Sequence, residues 1–386
     1  MAKRRIELGT FEITRQMKEY VAQALNLGRL SYGPLSQEFE QRFSKMHGCK
    51  FGVLSNSGTS SLLVALQTLK ELHGWKDGSE IIAPALTFVA SINTILQNRL
   101  TPILVDIDDY WNIDCNLIEQ AITSKTKAIM AVHLFGQPAN LSLIRDIADK
   151  YNLKIVEDSC EAAFASIDGK SIDEWGDIGV HSFYMAHIIT TGVGGMALTN
   201  NRDYANKMRS LVNHALSYEQ LSKNDTFDPM MLSRYFTFDS IGHSARITEL
   251  ESALGLAQLD DWKEIKHKRQ CNHQYFIDTL TDLHNEDLIQ LPMVRSDVSF
   301  TPMMFPIATL AESKHGLMAH LTQRGIGVRD TLPLTCQPAY KDLFNEADYP
   351  KAKFMNENGL YWAVHQDLTR DNLSFIVQSV IDYYVR

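Results

Sequence analysis

The 386-residue sequence lacks several features that mark large functional classes. It has no uninterrupted apolar stretch near the length of a membrane span, and its opening, MAKRRIELGTFEI, lacks the apolar core of a signal peptide. Basic residues are not in excess, because 37 Lys and Arg stand against 46 Asp and Glu, which gives a formal net charge of −9. We therefore expect no membrane insertion, and no nucleic-acid binding as the main task.

Closely spaced cysteines are also absent. The five cysteines are scattered and form no C-x-x-C pair. This pattern favours reduced thiols and a cytoplasmic location over a disulfide framework. Hydrophobic residues make up 45% of the chain and charged residues 22%, as in an ordinary globular protein long enough for two domains. We predict a large domain over residues 1–255 and a smaller C-terminal domain over residues 256–386.

The most informative stretch is residues 177–200, DIGVHSFYMAHIITTGVGGMALTN. Its two apolar, strand-like runs flank a glycine-rich turn in which backbone can approach a bound group closely. The first run ends near Ser182, and His187 follows it. Upstream, Asp158 ends another apolar run. Strand patterns alternate with helical patterns through this half of the chain, which predicts a mostly parallel sheet with helices on both faces.

A second segment, Asn56-Ser57-Gly58-Thr59-Ser60-Ser61, lies between a short strand pattern and a helical run over Leu62–Leu72. Small hydroxyl residues and a glycine at a helix start provide free N–H groups and the positive end of the helix dipole. That combination suits a phosphate group. The same residues also make an ordinary helix N-cap.

Together these motifs resemble the sugar aminotransferase family DegT/DnrJ/EryC1/StrS. That family has a Ser-Phe pair, a lysine a few residues later, and a turn ending in G-E-G-G. This chain has Ser182-Phe183, then His187, then a T-T-G-V-G-G turn in which Val193 replaces the glutamate. The resemblance extends from about Gly33 to Leu368. It implies an α/β protein with the aspartate aminotransferase fold of type I pyridoxal 5′-phosphate (PLP) enzymes, with a smaller C-terminal α/β domain.

The resemblance also implies which residues bind the cofactor. Gly58 and Thr59 match the family's phosphate cup, and Phe88 matches an aromatic residue that stacks on the pyridine ring. Asp158 matches the carboxylate that keeps the pyridine nitrogen protonated. Glu161 stands where the family often has a glutamine facing the ring hydroxyl. For Phe88 and Asp158, packing in the core and a buried structural carboxylate are the alternatives.

Further positions concern the partner subunit and the substrate. Ser182, from the Ser-Phe pair, is expected at the cofactor. Ser244 stands where the family often has an asparagine that reaches the partner subunit's phosphate, so the resemblance implies a homodimer with shared sites. Arg329 and His365 are candidates for contact with a nucleotide sugar, and ordinary surface positions are the alternative for both.

His187 stands where the family has its lysine. A lysine amine binds PLP covalently, whereas imidazole forms no stable imine but acts as an acid or base around its ordinary pKa of about 6.5. The resemblance therefore implies a cofactor held without a covalent bond, resting as pyridoxamine 5′-phosphate (PMP). A loop histidine with a structural role is the alternative.

His187 makes the chain similar to the family's 3-dehydratase branch. Such enzymes remove the 3-hydroxyl of a nucleotide-linked 4-keto-6-deoxy sugar, and an amino donor such as glutamate recharges the cofactor. One type also needs a [2Fe–2S] cluster, which the scattered cysteines disfavour, so we expect no metal. The other type resembles GDP-4-keto-6-deoxy-D-mannose 3-dehydratase. An aminotransferase without covalent anchoring and a non-catalytic binding relative remain as alternatives.

Overall fold

The computed structural model describes residues 5–217 and 237–385. Its larger sheet has seven strands in the order β1-β9-β8-β5-β4-β2-β3. These strands are β1 (Phe51–Ser55), β2 (Glu80–Pro84), β3 (Thr101–Val105), β4 (Thr126–Val132), β5 (Lys154–Asp158), β8 (Ile178–Ser182) and β9 (Gly195–Thr199). Strand β9 runs antiparallel to both neighbours, and the other pairs are parallel. The predicted mostly parallel sheet is confirmed.

The central strands of this sheet are buried along nearly their whole length, because helices cover the sheet. In chain order they are α1 (Arg15–Asn26), α2 (Pro34–Met46), α3 (Gly58–Leu72), α4 (Val89–Gln97), α5 (Cys115–Ala121), α6 (Leu141–Tyr151), α7 (Arg202–Leu211) and α8 (Glu249–Leu259). The predicted boundary between residues 255 and 256 falls inside α8 and stays a prediction. Two short strands, β6 (Ser166–Ile167) and β7 (Lys170–Ser171), join β11 (Val298–Ser299) in a small separate sheet.

A four-stranded antiparallel sheet organises the C-terminal part, in the order β10-β12-β14-β13. Its strands are β10 (Ile289–Gln290), β12 (Met304–Thr309), β13 (Val328–Asp330) and β14 (Gly359–Ala363). The accompanying helices are α9 (Trp262–Asn285), α10 (Lys314–Gln323), α11 (Pro350–Asn358) and α12 (Arg370–Tyr384). Phe276, Phe305 and Trp362 are fully buried in the core of this part.

The chain's first described residues lie beside this smaller sheet, where Ile6 forms an isolated bridge with Ile326. Ile6 donates its N–H to the Gly325 carbonyl at 2.8 Å, and its own carbonyl accepts from Gly327 N–H at 2.8 Å. These bonds place residues 5–9 beside the turn that leads into β13. Among the described residues, no helix is both long and apolar enough to cross a membrane.

Candidate functional site: a cofactor cavity and an adjoining cleft

A cavity of about 380 Å³ lies where the carboxyl ends of the parallel strands meet the loops that follow them. Ligands of open α/β sheets bind at this edge, because the helices that follow the strands begin there. Seven of the residues predicted from sequence line it: Gly58, Thr59, Phe88, Asp158, Glu161, Ser182 and His187. Residues from four separate segments of the chain are thus brought to one place.

The start of α3 forms one wall of the cavity. Ser57 caps the helix by accepting a hydrogen bond from Ser60 N–H at 3.1 Å, so the first turn points its remaining N–H groups outward. A Cβ atom on Gly195 would lie 2.4 Å from the carbonyl carbon and oxygen of Ser57. Backbone of the glycine-rich turn therefore rests directly on the helix start. The arrangement fits a phosphate group.

Replacement of Gly195 by alanine is expected to weaken PMP binding by at least about tenfold, since the new methyl group must displace backbone of the phosphate cup rather than a flexible side chain. Titration of the apoprotein with PMP, followed by fluorescence, measures the effect. Gly192→Ala is the control in the same turn, because a Cβ there meets nothing within 4 Å. That variant carries only the strain of its positive φ, about 1 kcal/mol, and is expected to bind PMP normally.

Asp158 supplies a buried carboxylate at the end of β5 and is only 6% exposed. Its Oδ2 accepts a hydrogen bond from Ser91 Oγ at 2.7 Å, and its Oδ1 accepts one from Cys160 N–H at 3.3 Å. Both bonds fix the carboxylate toward the cavity. A carboxylate held in this way pairs well with a protonated ring nitrogen.

Glu161 lies in the same cavity, one turn beyond Asp158. Its Oε2 accepts a hydrogen bond from Phe135 N–H at 2.6 Å. Burial raises the pKa of Glu161 to about 7; that hydrogen bond opposes the rise, and the nearby Asp158 charge adds to it. Near neutral pH this carboxyl group is therefore protonated in part of the molecules and can donate as well as accept a hydrogen bond.

His187 lies in the loop that joins β8 to β9. Its backbone N–H donates to Tyr184 O at 2.9 Å, and its buried Nδ1 has no hydrogen-bond partner among the described residues. Burial, followed by the positive charge of Arg269, lowers the pKa of His187 to about 4. The imidazole is therefore neutral near pH 7 and one ring nitrogen is free to take a proton. Among the described residues, no lysine lines the cavity.

An adjoining cleft of about 750 Å³ opens from the cavity and shares Tyr184, Ala186, Met303 and Tyr361 with it. Residues 5–9 form one wall of the cleft, and residues 325–329 form another. The predicted substrate residue Arg329 lies on this second wall and its side chain is exposed. A molecule larger than the cofactor can thus extend from the cavity into the cleft.

Two predicted site residues line neither space in this single chain. Ser244 accepts a hydrogen bond from Arg246 Nη2 at 3.1 Å outside the cavity. Its predicted role concerns the partner subunit's phosphate, so it stays a prediction. His365 is buried, and its ring lies against the backbone of Glu7. This contact places it behind the wall formed by residues 5–9.

Sequence reasoning missed Tyr184, Tyr361 and residues 5–9 as parts of the site. Tyr361 lies on β14, which pairs with β12 on one side and β13 on the other, and only this pairing brings it to the cavity. The wall made by residues 5–9 depends on the backbone bonds of Ile6 to residues 325–327. No local pattern in the sequence carries these long-range pairings.

The sheet topology is that of an aminotransferase-type PLP enzyme fold, and the start of α3 and the buried carboxylate lie at the cavity of that fold. The chain belongs to the DegT/DnrJ/EryC1/StrS aminotransferase family, whose pattern matches residues 12–381. The family comprises PLP-dependent, sugar-modifying enzymes. The predicted fold class, family and cofactor are thereby confirmed.

Individual relatives differ in the reaction that their names give. The chain is 32% identical over 379 residues to a GDP-perosamine synthase of Escherichia coli O157:H7, and the match covers 96% of each protein. It is 28% identical over 387 residues to a dTDP-4-dehydro-2,6-dideoxy-D-glucose 3-dehydratase of Saccharopolyspora spinosa, covering 95% of this chain and 83% of the relative. The solved E. coli GDP-4-keto-6-deoxy-D-mannose-3-dehydratase with hydrated PLP matches with a TM-score of 0.89 at 23% identity, covering 97% and 99% of the two chains. This last likeness shows the shared fold.

The cavity suits PLP or PMP on its own geometry. The start of α3 and the close approach of Gly195 leave room for a phosphate, and Asp158 offers a negative charge deep in the cavity. The Phe88 side chain is 56% exposed at the cavity and can cover a flat ring.

Proposed function

We propose that the chain catalyses the PMP-dependent removal of the 3-hydroxyl group from a nucleotide-linked 4-keto-6-deoxy sugar, which gives a 3,6-dideoxy sugar. The observation that carries this proposal is the neutral imidazole of His187 in a cavity whose lining, within residues 5–217 and 237–385, includes no lysine. An enzyme without that amine has no covalent anchor for PLP, but it retains a group that moves protons.

Bound PMP supplies an amine that condenses with the sugar's ketone, and a ring that accepts electrons from the bonds next to it. The chain's own residues do the rest. The start of α3 would bind the phosphate, Asp158 would hold a proton on the ring nitrogen, and Phe88 would cover the ring. A ring nitrogen of His187, which lines the cavity and is neutral near pH 7, would take the proton whose removal allows the 3-hydroxyl to leave the sugar.

The overall reaction is balanced with one amino donor. Glutamate would supply the electron pair and the nitrogen and become 2-oxoglutarate. The sugar's C3–O bond breaks, a C3–H bond forms with that electron pair, and hydrolysis releases ammonia. Each turnover therefore consumes one glutamate and yields a sugar that is one oxygen atom lighter and contains no new nitrogen.

Two further parts of the proposal concern partners. The cleft beside the cavity is the site for the substrate's nucleotide, with Arg329 as a cation for its phosphates.

A homodimer with shared sites is supported by large apolar side chains exposed near the cavity mouth. Phe88, Tyr184 and Val193 are 56%, 58% and 54% exposed in the single chain, as expected for a surface that a second copy covers.

The test is to incubate the purified protein with PMP, ¹⁵N-glutamate and a panel of GDP-, dTDP- and CDP-linked 4-keto-6-deoxy sugars. We expect ¹⁵N-ammonia in amounts equal to 2-oxoglutarate, and a sugar that has lost one oxygen atom by mass. Label retained in the sugar, with no ammonia, would contradict dehydration.

The second candidate is amino transfer without covalent anchoring of the cofactor. It is favoured by the 32% identity to a protein named GDP-perosamine synthase. The ¹⁵N label separates the two directly, because amino transfer leaves the donor's nitrogen on the sugar and dehydration releases it.

A further inference from the structure

Three polar side chains meet in the apolar core behind the cofactor cavity. Asp173 lies between His47, at the end of α2, and His181, on β8. Its Oδ2 is 2.6 Å from His47 Nδ1 and 3.0 Å from His181 Nε2. All three residues are at most 2% exposed, and the His47 ring stacks on Phe43 with 4.4 Å between centroids. Neither the cofactor chemistry nor the family resemblance gives this cluster a role.

The cluster has the geometry of hydrogen bonds rather than of a metal site. Two ligands of a tetrahedral zinc ion stand about 3.3 Å apart, whereas His47 and Asp173 approach to 2.6 Å. The outer nitrogens, His47 Nε2 and His181 Nδ1, have no partner among the described residues. Histidines that bind metals usually donate that second N–H to an acceptor. Asp173 is therefore a buried carboxylate held by two imidazoles.

The Asp173 carboxyl group stays ionised at this buried position. Burial acts to raise the pKa of Asp173, but the charge of His181 and hydrogen bonds from His181 and His47 outweigh it and hold that pKa below its usual value. A buried carboxylate with several donors resists displacement, because any shift leaves a charge without partners in the core.

Asp173 connects the ends of two neighbouring strands. Its Oδ1 accepts a hydrogen bond from Ser159 Oγ at 3.0 Å, directly after β5, while His181 lies on β8. A Cβ atom on Gly179 would lie 2.2 Å from the same Oδ1, so the carboxylate fits tightly against β8. Side chains alternate between the faces of a strand. The next residues on each strand, Asp158 and Ser182, therefore point to the other face, where both line the cofactor cavity.

We infer that Asp173, with His47 and His181, is a positioning residue for the cofactor: it fixes the carboxyl ends of β5 and β8 at the spacing that Asp158 and Ser182 need to bind PLP or PMP. Asp173 touches no part of the cavity and acts only through these two strands. The inference holds for either reaction considered above, because it concerns cofactor binding alone.

Asp173→Asn and Asp177→Asn make a matched pair for the test. Asp177 is also a carboxylate that joins β5 to β8, but at their amino ends, where it accepts from Lys154 Nζ and Ile155 N–H, both at 2.9 Å. We expect both variants to lower the melting temperature. Only Asp173→Asn is expected to weaken PMP binding, by roughly tenfold, the scale of one lost hydrogen bond to a charged group. It should also change the circular dichroism band of bound PMP.

Equal PMP affinity and an unchanged dichroism band in Asp173→Asn would overturn the inference, as would an equal loss of affinity in Asp177→Asn. If Asp173→Asn does not fold, His47→Phe tests the same point, since it keeps the ring that stacks on Phe43 and removes the bond to Asp173. We expect roughly fivefold weaker PMP binding in His47→Phe and recovery in His47→Gln, which restores a donor. Equal affinity of these two variants would also overturn the inference.

Discussion

Replacement of His187 by asparagine is expected to lower the rate of sugar conversion by about 10³-fold, because a positioned acid–base group contributes 10²- to 10⁴-fold to proton-transfer steps. The affinity for PMP should stay close to that of the unchanged protein, since binding rests on the phosphate cup and Asp158. The measurement is the rate of 2-oxoglutarate formation with the substrate identified by the ¹⁵N experiment, beside a PMP titration of the same variant.

His73→Asn is the matched control for the His187 variant. His73 is exposed, hydrogen-bonds to the Tyr204 hydroxyl at 2.8 Å, and lies outside the cavity lining. Its loss should leave the rate unchanged. A His187→Asn protein that retains more than about a tenth of the normal rate would remove His187 from the role of proton-transfer group.

Asp158→Asn is expected to weaken PMP binding by about 10²- to 10³-fold. The substitution removes the negative charge that pairs with the protonated ring nitrogen, and loss of one partner from a buried ion pair costs about 3–5 kcal/mol. The amide keeps nearly the same volume, so the cavity wall itself stays intact. Fluorescence titration of the apoprotein with PMP at pH 7 measures this loss directly.

Asp106→Asn is the matched control for Asp158→Asn, because Asp106 is also a buried carboxylate at the end of a strand. It follows β3 at the same edge of the sheet, is 7% exposed, and accepts from Lys351 and Ala352 N–H at 2.9 Å and 2.8 Å. Asp106→Asn should lower stability through α11 while PMP affinity is kept. If Asp158→Asn bound PMP as tightly as the unchanged protein, the ring nitrogen would not lie beside this carboxylate.

The sheet and much of the cavity lining follow from the sequence for a definite physical reason, whereas the cofactor was predicted from the family resemblance. Asp158 and Ser182 each end an apolar run, and parallel strands present their carboxyl ends at one edge of the sheet. Gly58 and Thr59 open a helix with visible capping chemistry. Residues whose position follows from local strand or helix ends were therefore predictable.

His365 shows where such reasoning stops. The sequence made it a candidate for contact with the nucleotide sugar, and this stays a prediction. Strand β14 ends at Ala363, and the chain then carries the histidine to the backbone of Glu7, a residue of the cleft wall. Asp173 gave no sequence signal at all, because its partners lie on α2, on β8 and after β5.

The pairing of Ile6 with residues 325–327 has a consequence for biosynthesis. Residues 5–9 are synthesised before residues 325–327, so their place in the protein does not exist until that later segment has been made. Domains usually fold in order of synthesis, so the strands of the larger sheet can pair before residues 5–9 reach their final position. The cleft and the cavity are therefore both completed late in synthesis, because residues 325–329 line the cleft and Tyr361 lines the cavity.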